Sequence, residues 1–270
     1  MGLQLPYGHV DCSLRGLAGQ AEGFGRFAVG GLHGVVYCVT TLADDGPGSL
    51  RYGCRKKEPL WIVFEVSGTI ELASHLTVSS HKTIDGRGQR IRLTGKGFRC
   101  HFAKHDKTML VGGDASNTCD RCMRVTIHHC FFDGTRQRHP RVRFARVHLY
   151  NNYTRDWGIY AVCASVESQV YSQCNIYEAG HNKKMAFKYL TEKAADKAEE
   201  CSGCVKSEGD LFVGKTQSGL VPLPSESCLF DPREYYEAWT VEAPNDDLKH
   251  FLKSCTGWQD INRPADASAS

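Results

Sequence analysis

The sequence predicts an all-β chain built as a parallel β-helix, and two observations carry that expectation. Three similar segments recur: RVTIHHCFFDG (124–134), RVHLYNNYTRD (146–156) and QVYSQCNIYE (169–178). Their leading valines, Val125, Val147 and Val170, lie 22 and then 23 residues apart. Two β-branched runs broken by glycine, WIVFEVSGTIEL (61–72) and HLTVSSHKTIDGRGQRIRLTG (75–95), read as strands and turns.

A period of this size with one short strand per unit marks a solenoid. No unit can bury its apolar face alone, so stacked coils share one core. A leucine-rich repeat fits the period, but its L-x-x-L-x-L signature is absent. A β-sandwich would need the spacing to be coincidental. Asn151, Asn152 and Asn175 are expected to stack at the corners of the coils, and an aromatic follows each valine: Phe132, Tyr153 and Tyr177.

The rest of the chain reads differently. Residues 179–235 are polar and predict irregular structure. NDDLKHFLKSC (245–255) predicts a short helix, with Leu248, Phe251, Leu252 and Cys255 at i, i+3, i+4 and i+7 after a capping Asn245 or Asp246. That helix is expected to pack on the flank of the solenoid, and the final NRPADASAS to fray. The implied organisation is an N-terminal extension (1–15), a β-helix domain (16–235) and a C-terminal flanking helix and tail (236–270).

Composition narrows the function. The apolar fraction of 41% and charged fraction of 23% are those of a globular chain, and the formal net charge is only +3. No run approaches ~20 apolar residues, so no membrane partner is expected. Thirteen cysteines, an odd count, do not read as a disulfide framework. The C-x-x-C pairs Cys119/Cys122 and Cys201/Cys204 lie too far apart for a zinc ribbon, so the thiols are expected to be small buried side chains. MGLQLPYGHVDCSLRG is not a recognisable secretory signal.

Against that neutral background, TRQRHPRVR (135–143) packs four arginines into nine positions. Pro140 biases His139 toward an extended conformation. Alternation then puts Arg136 with Arg138 on one face and Arg141 with Arg143 on one face. A basic face on a rigid solenoid suits a polyanion, either nucleic acid or an acidic polysaccharide. No base-stacking aromatics interleave with the arginines, which argues against nucleic acid.

Arg138-His-Pro-Arg-Val-Arg143 resembles the R-x-P-x-x-R motif of pectate lyases, polysaccharide lyase family 1. VTTLADDGPGSLR (39–51), WIVFEVSGTI (61–70), KTIDGRG (82–88), HDKTMLVGG (105–113), NNYTRDWGIYAV (151–162) and SQCNIYEAG (172–180) resemble plant members in the same order. The resemblance implies a right-handed, single-stranded parallel β-helix. It implies calcium-dependent β-elimination of polygalacturonate in pectin by a monomer, with Arg138 as the catalytic base that takes the proton from C5. Lys107 and Arg143 are then substrate-binding residues.

One departure matters for the chemistry. The family carries its calcium-binding carboxylates between the TIDGRG and HDK segments. Here only QRIRLTGKGFRCHFAK (89–104) lies between them, with no Asp or Glu. A shortened β-helix is expected, with coils missing near Arg99–Cys100, no identifiable metal ligand and impaired activity. The alternative is a non-catalytic polygalacturonate-binding β-helix. The family acts in the extracellular cell wall, and the sequence itself assigns no localisation.

Overall fold

The computed structural model describes residues 14–95, 98–99, 107–225, 228–256 and 262–265. The chain divides into two compact units, 1–100 with 257–270, and 101–256. The expected splice at Arg99–Cys100 falls beside residues 100–106, which lie outside the described residues.

The first unit holds β1 (Val35–Val39), α1 (Leu50–Arg55), β2 (Leu60–Phe64), β3 (Gly68–Leu72), β4 (Leu76–Thr77), β5 (Lys82–Ile84), β6 (Ile91–Gly95) and β7 (Phe98–Arg99). The strands pair in parallel as β1-β2-β5, β3-β6 and β4-β7. This is the three-faced wrap of a β-helix. Strand β2 is apolar throughout and buried on both sides. Leu60, Ile62 and Phe64 join Val39, Ile70 and Leu72, while Trp61 and Val63 meet Leu14 and Leu32. Part of the expected frayed tail is held here: Arg263 Nη1 donates to the Phe64 carbonyl at 2.8 Å, and Leu14 N to the Ala265 carbonyl at 3.0 Å.

The second unit opens with β8 (Leu110–Val111), β9 (Arg124–His128) and β10 (Phe131–Asp133), which form one coil. The next is β11 (Arg141–Val142), β12 (Arg146–Tyr150) and β13 (Tyr153–Arg155), followed by β14 (Val162–Ser165), β15 (Gln169–Gln173) and β16 (Ile176–Glu178). A fourth coil consists of β17 (Phe187–Leu190), β20 (Cys204–Glu208) and β21 (Leu211–Val213), interrupted by the antiparallel pair β18 (Glu192–Lys193) and β19 (Glu200–Cys201). The three parallel sheets run β8-β11-β14-β17, β9-β12-β15-β20 and β10-β13-β16-β21.

The period seen in the sequence is the coil repeat. Val147 stands in register with both Val125 and Val170. Val147 and Val170 are fully buried in a core shared with Val142, Ala164, Phe187 and Val205. The aromatics do not form one stack. Phe132 and Tyr177 point into that core, each seven residues past its valine. Tyr153 comes only six residues after Val147, and with a two-residue side-chain period it faces the other way. It packs outside with Ile176, Leu248 and Leu252.

Asn152 and Asn175 stack as expected. Asn175 Oδ1 accepts from the Asn152 N and Nδ2, each at 2.9 Å, and the Cys130 N donates to Asn152 Oδ1 at 3.0 Å. Asn151 departs from the ladder: at φ +49° it turns out to exchange hydrogen bonds with the Glu242 backbone.

The irregular reading of 179–235 is corrected in part: strands between Phe187 and Val213 complete the fourth coil, while 214–235 is largely irregular. Ala186, Phe187, Tyr189, Val205 and Phe212 face the core there. The C-terminal helix α2 (Asp246–Cys255) starts at the expected cap, with Asn245 Oδ1 accepting from the Leu248 N at 2.9 Å. Leu248 and Leu252 are buried, whereas Phe251 and Cys255 face solvent. The expectation of buried thiols is also corrected: Cys54 and Cys163 are buried, but Cys119, Cys122 and Cys255 are exposed. The C-x-x-C motifs build no metal centre among the described residues.

Candidate active site

The arginine cluster lies on the sheet β8-β11-β14-β17, and coil stacking brings its parts together. Lys107 forms a parallel bridge with Gln137, the Thr108 N donates to the Gln137 carbonyl at 3.1 Å, and the Met109 N to the Arg138 carbonyl at 2.9 Å. The HDK lysine and the first motif arginine therefore sit on adjacent strands, a spacing of about 4.8 Å between backbones. His105 and Asp106 lie outside the described residues.

Arg138 has φ +74°, in the left-handed region that non-glycine residues rarely occupy. This breaks the extended run, so simple alternation does not carry from Arg136 to Arg138. Arg136 is exposed and Arg138 is half-buried. The Arg138 guanidinium lies close enough to Tyr160 to feel its hydroxyl, and its Nε is buried with no hydrogen-bond partner. Burial lowers the Arg138 pKa from its ordinary value, and the charges of Arg141 and Arg143 lower it further, against the opposing effect of Tyr160. Burial in turn pushes the Tyr160 pKa up to about 12.

Arg141 and Arg143 share a face, as alternation predicts. Val142 between them is fully buried in the core. Both guanidiniums converge on Glu192. Arg143 donates from Nε to Glu192 Oε2 at 2.5 Å and from Nη2 to Oε1 at 2.9 Å, while its Nη1 reaches the Gly113 carbonyl at 2.9 Å. Arg141 Nη2 also bonds Glu192 Oε1, and its Nε donates to Ser165 Oγ at 3.2 Å. Sequence reasoning missed Glu192 and Tyr160. Tyr160 lies within the family-like segment NNYTRDWGIYAV but was given no role, and Glu192 lies in no quoted segment and is 49 residues from Arg143.

Gly112 fixes the wall beside Arg143. It has φ +82°, and a Cβ there would come 2.4 Å from the Arg143 carbonyl oxygen. Gly112→Ala is expected to cost roughly 2 kcal/mol of stability from strain and overlap. Chemical denaturation checks this as a lower midpoint at unchanged slope.

His139 lies beneath the motif, 2% exposed, with Nε2 against the Thr135 hydroxyl and Nδ1 unpartnered. Burial pushes its pKa from 6.5 down to about 4. The folded protein thus holds His139 neutral where the unfolded chain would protonate it. Stability is complete above pH 6.5 and is lost as pH falls through about 4. The loss at the acid end is roughly 3 kcal/mol from this group. Unfolding free energies measured from pH 7 to pH 4 should fall steadily, and a flat profile would contradict the buried neutral imidazole.

One further feature extends the cationic surface. A groove of about 430 Å³ is lined by Tyr160, Lys183, Met185, Phe187, Lys188 and Tyr189, among others. Lys188 stands in register with Cys163, which pairs with Arg141, and its ammonium lies 5.8 Å from the Tyr160 ring centroid.

Several described acids near these motifs are engaged by other groups. Asp133 binds Arg155, Asp120 accepts from the Gly113 N at 2.7 Å, and Asp114 closes a turn onto Ser116. In the first unit Asp85 binds Arg87 and Trp61. No group of three or more His, Cys, Asp or Glu side chains able to hold a metal occurs among the described residues. Calcium prefers six to eight oxygen ligands, several of them carboxylate. The described residues do not fit it.

The sequence profile of the family described as pectate lyase matches residues 98–211. The Arabidopsis thaliana protein named "Putative pectate lyase 21" is 30% identical over 295 aligned positions, covering 78% of this chain and 75% of that protein. That alignment is longer than the 270-residue chain, so the relative carries residues that this chain lacks. A pectate lyase of Lilium longiflorum is 29% identical over 71% of this chain and 64% of its own length. The crystal structure of jun a 1, the major cedar pollen allergen, superposes with a TM-score of 0.66 at 24% identity, covering 88% of this chain and 92% of that one. A pectate lyase from Bacillus sp. N165, solved in complex with trigalacturonate, shares the fold with a TM-score of 0.53 at 14% identity, covering 86% and 97%. With a 30% identical relative matched over three quarters of its length and the same β-helix in solved structures, the chain belongs to the pectate lyase family.

Proposed function

We propose that this protein binds polygalacturonate along the Lys107–Arg138–Arg143 surface and cleaves it by β-elimination, with Arg138 as base and no contribution from a calcium cluster. The observation that carries this reading is the state of Arg138. A guanidinium is an unusual base because its pKa lies above ~12. Here burial and two neighbouring arginines push that value down against the opposing effect of Tyr160, and the buried Nε has no hydrogen-bond partner.

The chemistry follows from the charges. A proton α to a carboxylate is weakly acidic, because its removal adds a second negative charge to the sugar. Lys107 and Arg143 would hold uronate carboxylates and offset that charge as it develops. Arg138 takes the C5 proton, the electron pair forms the C4–C5 double bond, and the glycosidic oxygen leaves C4 and takes a proton from water. The product carries an unsaturated uronate. Without calcium ligands, stabilisation rests on these cations alone, so the reaction should be slow. The groove beside Tyr160 lets the chain of sugars continue onto Lys188.

The second reading, binding without cleavage, is favoured by the absence among the described residues of a side-chain group able to hold a metal, which leaves the developing charge to the cations alone. Titration of trigalacturonate at rising salt, with and without a chelator, tests the binding part. The expected result is salt-sensitive affinity that ignores the chelator. Affinity abolished by chelation would mean that a metal site outside these residues controls binding.

A further inference from the structure

Arg143 meets a carboxylate already, and that carboxylate belongs to the protein. A guanidinium offers its Nε and Nη2 hydrogens as a parallel fork that matches the two oxygens of a carboxylate. On Arg143 this fork is filled by Glu192, while Nη1 is held by the Gly113 carbonyl. Arg141 bonds the same carboxylate. The three side chains are 13%, 14% and 20% exposed, so the pairing is largely shielded from water.

The backbone that carries Glu192 is anchored independently of this contact. Glu192 starts the strand pair Glu192–Cys201 and Lys193–Glu200. Beyond it Ala194 is fully buried with Phe144 and Val166, and the Ala195 N donates to the Ala115 carbonyl at 3.2 Å. Asp196 bonds Arg121, and Lys197 pairs with Glu167. The carboxylate can therefore leave the arginines by side-chain rotation, with the hairpin in place.

We propose that Glu192 is a built-in stand-in for a uronate carboxylate, and that polygalacturonate binds Arg143 by displacing it. This rests on the reading of Arg143 as a carboxylate-binding residue. While unliganded, Glu192 keeps two shielded guanidiniums paired, which protects the fold. On binding, a substrate carboxylate takes over the fork, and the exchange sets affinity below what the arginine motif alone would give. The same exchange favours ligands that present a free carboxylate over esterified ones, which lack the charge needed to compete with Glu192.

The test is calorimetric titration of trigalacturonate into the full chain and its variants, with melting followed in parallel. Glu192→Gln keeps the shape and removes the charge. It should melt lower than wild type without ligand, bind trigalacturonate on the order of tenfold more tightly, and gain more in melting temperature on binding. Arg143→Gln added to Glu192→Gln should remove that gain. If Glu192→Gln does not fold, Glu192→Asp, whose shorter side chain retreats from the fork but keeps its charge, should show a smaller tightening. Folded Glu192 variants that bind no more tightly than wild type overturn the proposal. If wild type binds and Arg143→Gln weakens it while the Glu192 variants do not tighten, only this inference fails. If no variant binds, the reading of Arg143 fails with it.

Discussion

Arg138→Gln is expected to lower the rate of unsaturated-product formation by about a hundredfold or more, the range for loss of a general base. Glutamine removes both the basic nitrogen and the charge. The fold should survive, because Arg138 is destabilised where it sits: it is half-buried, its Nε has no partner, and Arg141 and Arg143 repel it. Removing one of three clustered cations relieves that repulsion. Circular dichroism should be unchanged, and the melting temperature should hold or rise. The wild-type rate should increase about tenfold per pH unit while Arg138 is mostly protonated, since only the neutral fraction acts. A rate in Arg138→Gln equal to wild type would remove Arg138 from the chemistry.

Asn175→Leu is expected to destabilise the second unit by roughly 4 kcal/mol, at two or three orphaned buried groups of about 1–3 kcal/mol each. Leucine keeps the same branched outline and number of heavy atoms, so the cost is mainly polar. Asn175 is fully buried. Its Oδ1 satisfies the Asn152 N and Nδ2, and its Nδ2 donates to the Leu149 carbonyl at 3.1 Å, Ser172 Oγ at 3.0 Å and Asp210 Oδ1 at 3.0 Å. Leucine leaves the Asn152 N–H and the Leu149 carbonyl without these partners. It also strips a donor from Asp210, a carboxyl whose pKa burial already pushes up. Urea unfolding measures the effect directly. A cost below about 1 kcal/mol would mean that the ladder is not what fixes the corner.

The β-helix was legible in the sequence because stacked coils repeat their register residue for residue. Val125, Val147 and Val170 are partners in one sheet. The fourth coil was not legible. Val205 pairs with Val170 but follows it by 35 residues, because the pair β18-β19 is inserted before it, so the period of 22–23 is lost there. The spacing of the aromatics hid a difference in face: one residue fewer separates Tyr153 from its valine, and a single-residue change reverses the face. The arginines were legible as a motif. Their surroundings were not, since Tyr160 and Glu192 reach them only through coil stacking. His139 was read for its backbone alone, and its burial became visible only once the neighbouring coil supplied the Ala161 carbonyl that accepts from its N at 2.7 Å.

No acid lies between TIDGRG and HDK, and no group of side chains able to hold a metal occurs among the described residues. The most direct test of this account is ultraviolet absorbance of the unsaturated product formed from polygalacturonate by folded wild-type protein, with added calcium and with a chelator. The account predicts slow product formation that is the same in both and is lost in Arg138→Gln. Rapid product formation that requires calcium would contradict it.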